Sequence, residues 1–351
     1  MKFNKLILGL FAGSLFFVSC TSDDDSNAPQ GSYDNGFLVL NEGGSTSGAG
    51  VTFISNDLQT VQQDIFAAVN GQDETIGQFP QSIFFADSRA FIISNGSNKI
   101  TVVNRYTFEK LGEIASGLTV PRYGVVHNGK AYVTNSNSFS SATDDFIAVI
   151  DINTLAVTST IPVNNQAEKL IEEDGKLYVS GGFYGAGDVI TVINTSNNQI
   201  VTTINVGEAP NSLEEDNGVL YVLCSTFGGT SKLVRIQLSN NEILGETTFA
   251  STIVNAQNLD IEDHLAYFTA GSKIYRTNPD ATSVVDTAFI ETGSTSAYIG
   301  YGFAVENGRI YISEAAEDFT SDGKVFIYNE NNGALVQSIP VGLGPNGFYF
   351  N

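Results

Sequence analysis

Few side chains of this sequence have both the chemistry and the spacing that catalysis needs. Its two histidines, His127 and His264, stand beside predicted turns in different repeats, so we do not expect them to meet in a triad or a zinc site. Cys224 follows a predicted strand without a nearby histidine to activate it, which favours a buried thiol. We therefore predict no nucleophile or base of these types.

Adjacent carboxylates are frequent, but their spacing does not favour acid–base catalysis. Neighbouring side chains of a strand point to opposite faces, so such pairs do not face one substrate. The pairs concerned are Asp144-Asp145, Glu172-Glu173 and Glu214-Glu215.

Two alternatives to a non-enzymatic protein without a metal site remain open. Glu42 and Glu314 each follow a predicted strand in repeats that adjoin in a closed ring, so they could form the carboxylate pair of a glycan-active enzyme. Calcium could bind Asp144, Asp145 or the loop at Asp318, although neither loop has the ligand spacing of an EF-hand. Our prediction is a protein that is not an enzyme and has no catalytic residue, no cofactor and no metal site.

The charge of the chain excludes some partners. It carries 16 Lys and Arg against 38 Asp and Glu, a formal net charge of -22. Nucleic acid and anionic lipid would be repelled by such a protein, so we predict no nucleic-acid partner.

The first 34 residues concern location. Lys2 and Lys5 precede an apolar run that ends at Ser19-Cys20, which is the pattern of a secretion signal and too short for a stable membrane span. The segment resembles a lipoprotein signal, so we predict a signal peptide over residues 1–19 and acylation of Cys20. Residues 20–34 are polar and acidic, which predicts a flexible tether. Membrane contact would then come through the lipid anchor only.

A repeated sequence pattern indicates the β-strands that position the candidate functional residues. A short β-type run ending in a polar residue recurs seven times, and its last residues, at 55, 104, 151, 194, 237, 278 and 329, lie 41 to 51 residues apart. That is the length of one four-stranded propeller blade. The sequence therefore predicts an all-β, seven-bladed β-propeller over residues 35–351, and a six-bladed ring would require one match to be false.

The two ends of the repeat series predict how the ring closes. The first repeat begins at Phe37 with the second strand of a blade, and the chain ends after a single strand following Pro345. We expect this C-terminal strand to complete blade one and remove the exposed sheet edge.

One face of the ring is predicted to bind a ligand. If the four strands of each blade are labelled a to d from the centre outward, the b-to-c and d-to-a loops emerge on this face and are long, whereas nearly all turns of the other face are minimal. Drift of unconstrained loops is the alternative explanation. Its aromatic and neutral polar residues suit a large, neutral or weakly polar ligand, although each aromatic could instead pack against a neighbouring blade. The predicted ligand-binding residues are Glu42, Asn95, Arg122, Tyr123, Asn135, Phe139, Phe183, Tyr184, Phe227, Tyr298, Tyr301 and Glu314.

Short motifs carry a family resemblance. The sequence resembles the YVTN (YncE-like) seven-bladed propellers and the surface lipoproteins of Bacteroidota, including the BtuG-type cobalamin-binding lipoproteins. The segments that carry the resemblance are Ala131–Asn135, Leu177–Val179, Leu220–Val222, Leu40–Gly43 and Pro121–Tyr123.

This resemblance implies a location and a role. The acidic stretch after Cys20 looks like a surface-export signal, which implies a lipid-anchored protein on the outer face of an outer membrane. The resemblance also implies capture of a cobalamin-like nutrient and its delivery to a TonB-dependent transporter. A scaffold or accessory subunit bound to another outer-membrane protein is the alternative, and a glycan-active enzyme is a third hypothesis.

Overall fold

The computed structural model describes residues 30–45, 48–138, 141, 143–182 and 187–351. In these residues seven sheets form the blades of a β-propeller, with one short helix. The predicted all-β, seven-bladed fold is confirmed. No helix of the described segments has the length and apolar character to cross a membrane.

The elements follow one another in the order of the repeats. In chain order they are β1 (Gly36–Asn41), β2 (Gly50–Ser55), β3 (Val61–Gln62), α1 (Ile65–Asn70), β4 (Pro80–Ala86), β5 (Arg89–Ser94), β6 (Lys99–Asn104), β7 (Lys110–Ile114), β8 (Pro121–His127), β9 (Lys130–Asn135), β10 (Phe146–Asp151), β11 (Ala156–Pro162), β12 (Leu170–Glu173), β13 (Lys176–Ser180), β14 (Val189–Asn194), β15 (Gln199–Asn205), β16 (Pro210–Asp216), β17 (Val219–Ser225), β18 (Ser231–Gln237), β19 (Glu242–Phe249), β20 (Gln257–Glu262), β21 (Leu265–Ala270), β22 (Lys273–Thr277), β23 (Ser283–Val284), β24 (Ile290–Glu291), β25 (Ile299–Glu306), β26 (Arg309–Glu314), β27 (Lys324–Asn329), β28 (Leu335–Pro340) and β29 (Pro345–Phe350).

Each blade is a small sheet whose first strand lines the central channel. From the channel outward, blade one is β29-β1-β2-β3, and blades two to four are β4 to β7, β8 to β11 and β12 to β15. Blade five is β16 to β19 with β23 added, blade six is β20-β21-β22-β24, and blade seven is β25 to β28. The seven repeated runs of the sequence correspond to the third strands β2, β6, β10, β14, β18, β22 and β27.

The C-terminal strand closes the ring as predicted. β29 pairs antiparallel with β1, with Phe37 opposite Phe350 and Leu40 opposite Gly347. Blade one thus joins the two ends of the propeller, and its inner edge is covered.

The core lies between the blades and depends on one aromatic residue per second strand. These side chains are almost completely buried: Phe37, Phe91, Tyr132, Tyr178, Tyr221, Tyr267 and Tyr311. Several tyrosines also use their hydroxyl, as Tyr132 donates to the Thr195 carbonyl and Tyr178 to the Leu238 carbonyl, each in the next blade. An aromatic body with a polar tip therefore fills the core and links adjacent blades.

Hydrogen bonds between neighbouring blades hold the channel wall together. At six junctions a side chain of one blade donates to a backbone carbonyl at the inner strand of the next. The bonds are Asn346 to Pro80, Ser82 to Arg122, Thr134 to Glu168, Asn211 to Ala256, Asn258 to Gly300 and Ser313 to Pro345. These bonds fix the inner strands relative to one another.

Blade six carries an exception on the face where nearly all turns were predicted to be minimal. Residues 278–289 separate β22 from β24, and within them β23 pairs in parallel with β19 of blade five. This connection covers the outer edge of blade five instead of turning directly back.

The core packing begins slightly before the predicted start of the propeller at residue 35. Tyr33, which the sequence places in the tether, lies in the core with its ring 5.2 Å from that of Phe53 and 5.9 Å from that of Phe108.

Candidate ligand site at the mouth of the central channel

The central channel contains a cavity of about 570 Å³. All seven inner strands line it, and they do so through the residues at their beginnings, which lie at the face with the long loops. Because a d-to-a loop enters each of these strands on that face, the cavity occupies the half of the channel nearest the long loops. Its volume is within the range of small-molecule sites.

A ring of polar side chains surrounds the mouth of the cavity. In each blade the first residue that lines the cavity is polar, and it lies on the inner strand or, for Glu168, just before β12: Gln81, Arg122, Glu168, Asn211, Gln257, Tyr301 and Asn346. Arg122 and Tyr301 are among the predicted ligand-binding residues. The sequence also places Glu168, Asn211, Gln257 and Asn346 near the rim or the inner strands, so Gln81 is the one ring member without such an expectation. Its signal is the position directly after Pro80, in a corner that starts an inner strand.

Arg122 is the central member of this ring. Its Nη2 lies 2.6 Å from Oε1 of Glu168 and its Nε lies 2.9 Å from Oε2, so the pair is bidentate. Both residues are 8% exposed, and Arg122 also donates to the amide oxygen of Gln81. A buried charge needs such partners, and together they fix the guanidinium at the mouth.

A neutral network continues from Gln81. Asn95 donates to Oε1 of Gln81 over 3.0 Å, and Nε2 of Gln81 donates to the Tyr123 hydroxyl over 3.0 Å. Burial raises the pKa of Tyr123 to about 12, so its hydroxyl remains protonated at neutral pH. This network can offer the hydroxyl proton of Tyr123 to a ligand.

Another pair of predicted residues faces the same opening. Tyr301 donates its hydroxyl proton to Glu42, which lies after β1 of blade one. Burial raises the pKa of Glu42, while the Tyr301 hydrogen bond and the positive charge of Arg122 oppose the rise. Five predicted residues therefore converge at the mouth: Glu42, Asn95, Arg122, Tyr123 and Tyr301.

Deeper in the channel the wall carries ionisable groups that the sequence analysis missed. Lys169 lies with its Nζ 5.9 Å from the ring centroid of Tyr123, and Glu214 lines the cavity from the next blade. Burial and the charge of Asp260 raise the pKa of Glu214 to about 8, so this carboxyl holds a proton at neutral pH. Burial also raises the pKa of Asp260 to about 6, and its Oδ2 accepts the Val305 backbone N–H.

The remaining predicted residues that the structure describes lie away from the cavity. Asn135 is buried, with Nδ2 donating to the Val133 carbonyl and Oδ1 accepting the Thr119 N–H. Glu314 accepts from Ser294 in a side cleft of the same face. Tyr298 packs edge-on against Phe319, and Phe227 is 94% exposed on its loop. The predicted residues outside the described part of the chain are Phe139, Phe183, Tyr184 and Cys20.

The groups most often used in catalysis and metal binding lie apart. His127 pairs with Glu172 and His264 with Asp216, in separate parts of the opposite face. Burial raises the pKa of the Cys224 thiol to about 12, so the reactive thiolate is scarce. Among the residues with described positions, no three or more His, Cys, Asp or Glu side chains form a group that could hold a metal ion.

Fold and cavity define a seven-bladed β-propeller with a channel of ligand size on its elaborated face. Residues 35–351 match the family model described as "Domain of unknown function (DUF5074)", and the chain belongs to this family. No curated protein matches the sequence. The closer likeness to YncE-like propellers and BtuG-type lipoproteins stays a prediction.

Solved structures of several different proteins have a similar fold. Hydrazine synthase of Kuenenia stuttgartiensis is 18% identical with a TM-score of 0.56, covering 76% of this chain and 88% of that chain. AztD of Citrobacter koseri is 9% identical with a TM-score of 0.52, covering 89% and 96%. BamB of Moraxella catarrhalis is 15% identical with a TM-score of 0.50, covering 87% and 82%. At these identities the likeness concerns the fold alone.

Proposed function

We propose that this protein is a lipid-anchored, surface-exposed protein of the outer membrane that captures a large, neutral or weakly polar ligand at the long-loop mouth of its channel. The observation that carries the proposal is the 570 Å³ cavity with its ring of seven polar side chains. A concave site with a few fixed polar groups is typical of small-molecule binding.

The chemistry of the mouth supports a ligand without strong charge. The guanidinium of Arg122 is already neutralised by Glu168 and lies within the electrostatic influence of Glu42. The amides of Asn211, Gln257 and Asn346 line the same opening. Neutral hydrogen-bonding groups therefore dominate the surface that a ligand would meet, and a cobalamin-like nutrient is the candidate we favour.

Delivery to a TonB-dependent transporter is the second part of the proposal. An acylated Cys20 and a polar tether would hold the propeller near a partner in the same membrane at high effective concentration. The strongly acidic surface argues against direct adhesion to anionic lipid.

The test is calorimetric titration of the purified mature protein with cyanocobalamin, haem and neutral oligosaccharides. Gln257→Ala is the informative variant, because Gln257 is exposed in the cavity wall and its side chain makes no described hydrogen bond. We expect a loss of affinity of about tenfold, the value of one good hydrogen bond, with unchanged unfolding. Phe227→Ala, on the same face but outside the cavity, is the matched control. Absence of binding across this panel would refute nutrient capture.

A scaffold role is the second candidate, and one observation favours it. The fourth strands of blades four, five and seven expose apolar side chains, among them Val201, Leu244 and Leu335, each more than half exposed. Exposed apolar surface of this kind can meet a protein partner. Pull-down from membranes with the intact lipid anchor, comparing wild type with Leu335→Ser, tests this role.

A further inference from the structure

A second, much smaller void lies beside the channel mouth between blades three and four. It measures about 10 Å³ and separates the end of the b-to-c loop of blade three from the corner that leads into β12. A void of roughly this size accommodates one particle as large as a water molecule. The loop contributes Ser136, Ser138, Ser141 and Asp145, and the corner contributes Gln166, Ala167 and Glu168.

Oxygen atoms without hydrogen-bond partners surround this void. Asp145 is 4% exposed; its Oδ2 accepts the Ala167 N–H over 2.7 Å, but no described residue donates to its Oδ1. Ser136 is 5% exposed, and its hydroxyl has no partner among the described residues. The side-chain oxygen of Gln166 is inaccessible to solvent and accepts no hydrogen bond, and the same is true of Oδ1 of Asp144 in the same loop.

A water molecule could satisfy the hydrogen bonds of this void but not its charge. The carboxylates of Asp144 and Glu168 act on Asp145, and no basic side chain of the described residues forms an ion pair with it. The nearby guanidinium of Arg122 is already engaged by Glu168. A buried carboxylate without a positive partner is costly, whereas a bound cation would compensate it.

We propose that this void is a binding site for a single hard divalent cation, with calcium as the ion that fits best. Calcium accepts carboxylate, amide and other neutral oxygen ligands in irregular geometry, which is the set that Ser136, Asp145 and Gln166 provide. Magnesium requires a more regular octahedron, and zinc prefers nitrogen and sulfur ligands. Glu168 also lines the void, but its carboxylate is paired with Arg122, so the charge available to the cation is that of Asp145.

The cation would act on the ligand mouth through the backbone. Asp145 holds the N–H of Ala167, and the next residue, Glu168, holds Arg122 in the polar ring. Occupancy of the void would therefore fix the corner that places this ion pair. Ser136, Asp145 and Gln166 are positioning residues with respect to the channel.

Calcium binding itself tests the proposal and does not depend on the organic ligand. The full-length mature protein is stripped with EDTA, dialysed and titrated calorimetrically with CaCl2 and, separately, with MgCl2. We expect one calcium per chain with a Kd on the order of 0.1 to 1 mM, as in extracellular calcium modules, and binding of magnesium at least tenfold weaker. Calcium should also raise the thermal midpoint, because it binds only the folded chain.

Three variants locate the site. Asp145→Asn and Gln166→Leu should each weaken calcium binding at least tenfold, and the second decides the matter if the first does not fold. Asp318→Asn is the matched control, because Asp318 lies in another loop of the same face and accepts the N–H groups of Thr320 and Ser321. Absence of calcium binding at about 5 mM, above the range of such modules, overturns the proposal. So does binding that survives both void variants, or binding that Asp318→Asn abolishes.

Discussion

Separating Arg122 from Glu168 should destabilise the protein much more than separating an exposed ion pair. Both side chains are buried and joined by bidentate hydrogen bonds across the junction of blades three and four. Removing one partner leaves the other as an uncompensated buried charge, which costs about 3 to 5 kcal/mol. We therefore expect Arg122→Met and Glu168→Gln each to lower the free energy of unfolding by about this amount.

The double variant provides the decisive comparison. Arg122→Met combined with Glu168→Gln removes both charges, so its loss should be smaller than the sum of the single losses by about 2 kcal/mol or more. The matched control is the pair of Lys232 and Glu246, whose atoms approach to 2.7 Å but whose side chains are 30% and 48% exposed. The coupling energy between Lys232 and Glu246 should remain below about 1 kcal/mol, because solvent screens an exposed ion pair.

Urea unfolding followed by circular dichroism and tyrosine fluorescence measures these energies, since the sequence contains 14 tyrosines and no tryptophan. If the coupling energy between Arg122 and Glu168 were as small as that of the exposed pair, it would refute the view that their mutual charge compensation stabilises the channel mouth. Ligand affinity measured on the same variants would show whether the mouth also loses its binding geometry.

Further predictions concern other parts of the molecule. Gly182→Ala should lower unfolding stability by about 1 to 3 kcal/mol in urea titrations, because the added Cβ would lie 2.0 Å from the Pro210 carbonyl oxygen; unchanged stability would disprove this contact. The pKa of Glu214 is about 8 in the folded chain, above its ordinary value, so the folded state binds more protons between about pH 4 and pH 8 and loses stability as pH rises through that window. Glu214→Gln should flatten this part of the stability profile, and an unaltered profile would contradict the assignment. Cys224 should resist a thiol reagent in the native protein and react fully in denaturant, because burial raises its pKa to about 12; rapid native labelling would show an accessible thiol.

The fold was predictable because its information is local and repeated. Each third strand combines alternating or β-branched residues with a polar end, and each second strand starts with an aromatic such as Phe37 or Tyr132. Seven copies of one pattern reinforce one another, so an imperfect copy does not change the count. The closing pairing of Phe37 with Phe350 followed from the incomplete repeats at both ends.

The site was only partly predictable because it is assembled from different blades. Arg122 attracts attention as a basic residue at a proline corner, but its partner Glu168 lies 46 positions later in the chain. Lys169 and Glu214 look like polar positions of ordinary strands, and only closure of the ring places both in the channel wall. The crossing of residues 278–289 to blade five carried no sequence signal that specifies its neighbour.

The late pairing of β29 with β1 has a consequence for biosynthesis. About 300 residues separate the two strands of this pair, and a ribosome that adds roughly 5 to 20 residues per second needs about 15 to 60 seconds to make them. Until then the inner edge of β1 has no partner, and an unpaired edge is prone to aggregation. A chaperone that shields the nascent N-terminal third would therefore matter more for this protein than for one whose neighbours in space are also neighbours in the chain.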